Sequence, residues 1–232
     1  MKIALLGYGK MGKTIERIAQ ERGHEIILKV DAPGDYDLSV AEVAVEFSTP
    51  QSAFANISRA LSLGLPTVAG TTGWLEYYPE AVALCKEHKA AFLYASNFSI
   101  GVNIFFELNK TLAQLMRKYP EYAVAIEEIH HTQKLDAPSG TAITLAQEII
   151  EQTDKEGWEL GETTEDKIPI TAKRIENVPG THIVTYKSVV DTLEIKHTAH
   201  SRDGFALGAV LAAEWIIGKK GVFSMKDVLF GK

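Results

Sequence analysis

A single cysteine, Cys85, stands in a chain of 232 residues. It can close no internal disulfide and build no Cys-rich metal cage, and an inert, buried thiol is expected. There is no basic excess either: 24 Lys and Arg face 30 Asp and Glu, for a formal net charge of −6. With no Lys/Arg cluster, the electrostatic footprint of a nucleic-acid binder is missing. An anionic substrate would have to be caught by locally placed donors working against the net field. Long apolar runs are also lacking. Ala206–Ile217 is interrupted by Glu214, well short of the roughly 18–20 residues of a membrane span. The apolar start Met1–Leu6 is broken at once by Gly7, Gly9, Lys10 and Lys13, so no signal peptide is expected. Neither internal repeats nor low-complexity segments occur. The remaining composition, 46% hydrophobic and 23% charged, is that of a soluble globular protein of one large or two small domains. A cytoplasmic location without membrane or nucleic-acid partners is expected.

The first hundred residues alternate short apolar runs with helical patterns. Ile3–Leu6, Ile26–Val30, Val43–Phe47, Thr67–Ala69 and Ala91–Tyr94 read as buried strands. Lys13–Arg22, Gln51–Leu63 and Glu76–His88 read as the helices between them. Such alternation predicts a parallel sheet covered on both faces. After Ser96–Ser99 the pattern changes. A long helix over 101–118 ends before Pro120, a strand follows at 123–129, and a helix spans 141–152. Strand-like stretches follow at 158–170, 183–190 and 193–198, the last two alternating as in an open antiparallel sheet with a turn near Asp191. The chain returns to helix at 205–217. The expected fold class is therefore α/β: a Rossmann-like parallel-sheet domain (1–100 with 205–232) plus an α+β domain (101–204) carrying an open mixed or antiparallel sheet.

Gly7-Tyr8-Gly9-Lys10-Met11-Gly12 fits G-x-G-x-x-G between a predicted strand and a predicted helix. In that context Gly7 allows the tight turn, Gly9 lets backbone approach a pyrophosphate, and Gly12 permits close helix–strand packing. The phosphates would sit on N–H groups at the helix N-terminus. Asp31 ends the second strand about 20 residues on, where a carboxylate accepts from a ribose 2′-OH. It would repel a 2′-phosphate, and Ala32 follows where an Arg could compensate. NADH is therefore preferred and NADPH tolerated, with Lys10 and Lys29 as nearby cations. Gly70-Thr71-Thr72-Gly73 and Ser96-Asn97-Phe98 follow later strands at the sheet edge where such folds bind ligands.

The richest segment runs from Glu127 to Ala142 and holds His130, His131, Lys134, Asp136 and Pro138-Ser139-Gly140-Thr141. Adjacent histidines on a strand point to opposite faces and chelate poorly, and no H-E-x-x-H is present, so no metal is expected. A histidine offers a proton donor with a near-neutral pKa, and Lys134 fixed positive charge. Gly140 and Thr141 open a helix whose N–H groups can bind a carboxylate. Together these suit the holding and protonation of a small anion.

Residues 128–142 resemble the E-x-H-H-x-x-K-x-D-A-P-S-G-T-A signature of the dihydrodipicolinate reductases, which act in the diaminopimelate route to lysine. The resemblance extends over Gly7–Gly12, Gly70–Gly73, Asn97–Asn103, Ser201-Arg202 with Phe205-Ala206, and Val222–Leu229. It implies an oxidoreductase that reduces 4-hydroxy-tetrahydrodipicolinate, an anionic cyclic dicarboxylate, by hydride transfer with loss of water. It also implies a homotetramer built through the open sheet of the 101–204 domain. By position, His130 would be the general acid/base, Lys134 the second donor and anion stabiliser, and His131 a substrate contact, with Gly140 and Thr141 on a substrate carboxylate. Gly7, Tyr8, Gly9, Lys10, Met11, Gly12, Asp31, Gly70, Thr71, Thr72, Tyr94, Ala95, Ser96 and Asn97 would line the NAD(P)H. One departure stands out: only residues 32–42 separate Asp31 from Val43, where many relatives are longer. A related dehydrogenase of another small amino or keto acid shares the cofactor fold. A non-catalytic nicotinamide sensor would need a further module, against which the acidic composition and the His130/Lys134 pair argue.

Overall fold

Apolar runs too short to be helices dictate the first unit. The computed structural model describes every residue except Pro33, Thr163, Thr164 and Lys232. β1 (Lys2–Leu6), β2 (Glu25–Val30), β3 (Val43–Glu46), β4 (Thr67–Ala69), β5 (Ala91–Tyr94) and β11 (Gly221–Phe223) form one sheet in the order β11-β5-β4-β3-β1-β2. All its pairings are parallel. Its strands are apolar on both faces because both are covered. Ile3, Leu5, Val43, Val45, Val68 and Leu93 pack into one core cluster, while Ala4, Leu6 and Ala44 pack into another.

Helices α1 (Lys10–Glu21), α2 (Pro50–Ser62), α3 (Tyr78–Glu87) and α6 (Asp203–Ile216) flank this sheet, and α7 (Met225–Phe230) follows β11. α1 buries Ile15, Ile18 and Ala19, a stripe at helical spacing. Close packing governs α6, where a Cβ on Gly208 would lie 1.8 Å from the Phe98 carbonyl oxygen. Cys85 is buried, as its composition suggested, and burial pushes its thiol pKa up. The chain runs from β1 outward to β2 and then back to β3 on the other side of β1. That reversal is the switch point at whose carboxyl edge open α/β sheets bind ligands.

A second compact unit spans residues 101–201, the first comprising 1–100 and 202–232. The crossing back therefore lies at Ser201/Arg202, slightly before the 204/205 expected from sequence. α4 (Ile100–Met116) and α5 (Gly140–Gln152) accompany β6 (Ala123–His130), β7 (Gly157–Leu160), β8 (Lys167–Arg174), β9 (Gly180–Lys187) and β10 (Thr192–Ala199), in the order β10-β9-β6-β8-β7. β6–β9 and β9–β10 are antiparallel, whereas β6–β8 and β7–β8 are parallel. The sheet is thus mixed, and the stretch read as 158–170 is two strands. β6 alternates strictly, so that Val124, Ile126, Glu128 and His130 share its buried face. Val124 and Ile126 pack with Phe105 of α4 and Leu145 and Ile149 of α5.

Other departures concern the ends of elements. α1 begins at Lys10 rather than Lys13, because the glycine loop leads straight into its first turn. β11 was not anticipated: three residues after Lys219-Lys220 carry no readable period, and only pairing with β5 makes them a strand. Among the described residues no helix is long and apolar enough to cross a membrane.

Where α4 meets α5, the amide nitrogen of buried Asn109 donates to the Leu145 carbonyl and to Glu148 Oε2, both at 3.1 Å. Burial, partly opposed by the Asn109 bond and reinforced by Glu107, raises the Glu148 pKa to about 7. A carboxyl raised on folding favours the fold below its unfolded value of 4.5 and loses that advantage as pH rises through about 7. Glu148→Gln keeps the acceptor and removes the charge. Thermal unfolding should show it stabilised at pH 8 by on the order of 1 kcal/mol, with no gain at pH 4.

Candidate active site

The glycine-rich loop follows β1 directly. Gly7 adopts φ +108°, and a Cβ there would lie 2.1 Å from the Phe47 carbonyl oxygen. At Gly12 a Cβ would come within 2.3 Å of Gly7 O, so the helix packs too tightly for a side chain. Gly9 is different: nothing lies within 4 Å of its Cβ position, and it borders a cleft of about 620 Å³. Gly7, Tyr8, Gly9 and Asp31 of the expected set line that cleft, and Gly9, the N-cap of α1, provides no side-chain cap. An open glycine before an uncapped helix N-terminus fits a pyrophosphate. Lys10, Met11 and Gly12 form the first turn of α1.

Sequence reasoning missed several cleft residues, among them Tyr36, Ser48, Asn56 and Arg59. Arg59 lies 4.5 Å over the Tyr36 ring and bonds Asp35 (2.9 Å) and the Gly34 carbonyl (3.0 Å). An arginine therefore does border the Asp31 end, delivered by α2 rather than by the residue after Asp31. Lys29 is paired with Glu16 at 3.0 Å, and the Tyr8 hydroxyl bonds the same carboxylate. Gly70, Thr71 and Thr72 follow β4, and Tyr94 ends β5 with residues 95–97 after it, but none of them is part of this lining. The Tyr94 ring packs instead against Trp74 and Tyr78 at 5.6 and 5.9 Å, and Asn97 Oδ1 accepts from the Ser99 N–H.

In the second unit, strand alternation places Glu128 and His130 side by side. Glu128 is fully buried, its Oε2 lying 2.6 Å from His130 Nδ1 and its Oε1 3.0 Å from Arg174 Nη2. Burial alone would raise its pKa, but hydrogen bonds from His130, Ser139 and Arg174 outweigh that and hold it at about 2. Because Nδ1 faces the carboxylate, Nε2 is the nitrogen left for chemistry. A Cβ on Gly180 would lie 3.0 Å from Nε2, so glycine keeps that side clear.

Arg174 also donates to the Lys134 and Asp136 carbonyls, at 3.3 and 2.6 Å, which pins the loop carrying Lys134. Lys134 Nζ lies 2.7 Å from both Asp136 carboxylate oxygens. The loop contains the cis Ala137–Pro138 peptide and leads to Ser139, the N-cap of α5, whose Oγ accepts from the Ala142 N–H at 3.3 Å. Gly140 and Thr141 form the first turn beyond that cap, where helix N–H groups point outward. His131 lies just past the end of β6 and is half-buried.

His182 was also missed. It lies on β9 with Nε2 3.1 Å from Ser139 Oγ and its ring edge-on to His130 at 5.0 Å. Arg174 and His182 reach the site through strand pairing, which leaves no local sequence signal. Glu128 was within reach, since E-x-H on an alternating strand puts both side chains on one face. Glu128, His130 and His182 bring ligand atoms within 4.8 Å of one another. Arg174 on the carboxylate and Ser139 on His182 already engage that set, which reads as an acid–base cluster.

Family models described as "Dihydrodipicolinate reductase, N-terminus" and "Dihydrodipicolinate reductase, C-terminus" match residues 1–98 and 101–229. The chain belongs to the dihydrodipicolinate reductase family. It is 59% identical to a 4-hydroxy-tetrahydrodipicolinate reductase from Christiangramia forsetii, covering 99% of this chain and 98% of the relative. A Thermosipho africanus protein of the same name is 33% identical over the same shares. The solved dipicolinate-bound dihydrodipicolinate reductase from Paenisporosarcina sp. TG-14 superimposes with a TM-score of 0.78 over 97% of each chain, at 24% identity. It supports the two-part α/β fold expected of the family.

Burial, and then the positive charge of His130, push the His182 pKa down from 6.5 to about 3. An imidazole neutral in the fold but protonated when unfolded costs stability as pH falls below 6.5, until about 3. Denaturant unfolding between pH 6.5 and 4.5 should show stability falling more steeply in the parent than in His182→Gln, by about 1 kcal/mol per pH unit. Equal slopes would mean that His182 titrates normally.

Proposed function

We propose that the chain reduces 4-hydroxy-tetrahydrodipicolinate to tetrahydrodipicolinate with NAD(P)H, in the diaminopimelate route to lysine. The membership and the near-full-length likeness to reductases of that name support this reading. The observation that carries its chemistry is the Glu128–His130 pair with Nε2 clear beside Gly180. The nicotinamide supplies a hydride when bound; substrate gains that hydride and one proton and loses one water. His130 delivers the proton from Nε2 while Glu128, itself held by Arg174, steadies the imidazolium. Lys134 offsets negative charge on the substrate, with Asp136 holding its ammonium until a substrate carboxylate competes. Gly140 and Thr141 present N–H groups to a carboxylate, and His131 adds a polar contact.

The dinucleotide lies on the Gly7–Gly12 loop with its adenosine ribose toward Asp31. Gly70–Thr72 and the backbone of Tyr94–Asn97 border the nicotinamide end. NADH is preferred and NADPH tolerated: Asp31 repels a 2′-phosphate, Lys29 is engaged by Glu16, and Arg59 is held by Asp35. A homotetramer formed through the open sheet of the second unit and a cytoplasmic location complete the reading.

The deciding assay follows loss of reduced-nicotinamide absorbance with substrate generated in place by the preceding synthase. Oxidation that depends on the synthase product is expected. His130→Ala and Lys134→Ala should each lower kcat by about 10²–10⁴-fold while NADH affinity stays within about twofold. Binding of both cofactors without oxidation by the parent would instead favour a sensor or another dehydrogenase. In a separate titration Asp31→Ala should weaken NADH about tenfold, the loss expected for a hydrogen bond to a charged group, and narrow its advantage over NADPH. An unchanged ratio would remove Asp31 from the ribose.

A further inference from the structure

Glu46, the last residue of β3, is fully buried, and among the described residues no cation pairs with it. Burying a carboxyl without a countercharge is costly, so its bonds need an account. Oε1 gathers three donors: the Ser48 N–H at 3.0 Å, the Ser48 hydroxyl, and Thr71 Oγ1 at 3.0 Å. The Ser48 N–H also reaches Thr71 Oγ1 at 2.8 Å. From Ser48 the chain of bonds continues outward: Asn56 Nδ2 donates to Ser48 Oγ at 3.3 Å, and Asn56 Oδ1 accepts from the Tyr36 hydroxyl at 2.7 Å. Ser48, Asn56 and Tyr36 are walls of the dinucleotide cleft; Glu46 is not. Oε2 is buried with no hydrogen-bond partner.

The geometry points to Glu46 as a positioning residue for the cofactor: its single loaded oxygen fastens the loop after β3 to the loop after β4 and thereby sets the cleft wall from Ser48 to Tyr36. It acts as an acceptor through that oxygen alone: all three donors converge on Oε1, and Oε2 has no hydrogen-bond partner. Burial raises the carboxyl pKa against the pull of the Ser48 and Thr71 bonds. Glutamine can therefore replace it, offering the same Oε1 acceptor, whereas alanine cannot. The Rossmann sheet does not need the contact for its own closure, since β3 is paired on both sides by backbone.

This inference rests on the reading that the cleft takes a nicotinamide dinucleotide, and direct binding tests the two separately. NADH and NADPH fluorescence titrations would be run on the parent, Glu46→Gln, Glu46→Ala and Thr71→Val, with thermal unfolding alongside. Glu46→Gln should bind NADH within about twofold of the parent. Thr71→Val, which removes both the donor to Oε1 and the acceptor of the Ser48 N–H, should weaken NADH about fivefold to tenfold with the unfolding midpoint held. Glu46→Ala should weaken it further, with KM for NADH rising more than kcat falls. Parent-like affinity in Thr71→Val and Glu46→Ala would overturn the positioning role. Affinity as poor in Glu46→Gln as in Glu46→Ala would overturn the one-oxygen acceptor role. If Glu46→Ala does not fold, the glutamine and valine variants decide the matter. A parent that binds neither dinucleotide fails at the cofactor reading itself, before any variant is compared.

Discussion

A carboxylate with no exposure to water, clasped between a guanidinium and an imidazole, organises the chemical half of this molecule. Glu128 could not remain ionised at that depth without Arg174 and His130, and each of those takes its position from Glu128 in turn. Arg174 carries the arrangement further, because the same side chain bonds the backbone on either side of the Lys134 loop. One ion cluster thus sets the imidazole tautomer, the place of the ammonium group and the approach to α5. Buried networks of this kind stand or fall as a unit, since removing one partner strands a charge in low dielectric.

The half proposed to take the dinucleotide is built differently. Its cleft is shaped by what is left out: side chains at Gly7 and Gly12, where backbone atoms come too close, and at Gly9, where open space meets a helix N-terminus. The charged residues of its lining are Asp31 and Arg59, the latter paired with Asp35 of the short 32–42 segment. On the proposed reading the two units meet an anion in separate ways, one by backbone dipoles and the other by fixed cations.

How much of this the sequence displayed depends on the range over which each feature is determined. Strands such as Val43–Glu46 were legible because a covered parallel sheet demands unbroken apolar runs. The glycine loop and the 128–142 segment were legible because each packs its chemistry into a few consecutive residues. Arg174 and His182 were not, since only the pairing of β8 and β9 with β6 carries them to His130. Arg59 was invisible for a like reason: α2, not the residue after Asp31, brings it to the cleft. β11 failed at the other extreme, being too short to have a period at all.

The discontinuity of the first unit bears on the order in which the molecule can be made. Residues 101–201 are contiguous and contain a complete mixed sheet with both of its helices. The parallel sheet, by contrast, lacks an edge strand until Gly221–Phe223 arrives, and one face of its core lacks Ala206, Ala209, Val210, Ala213 and Ile216 of α6. As the chain emerges from a ribosome, the part synthesised first is the part that must wait. The unit carrying His130 can close its core while the first unit still exposes apolar surface, so residues 202–232 are what the parallel sheet waits for.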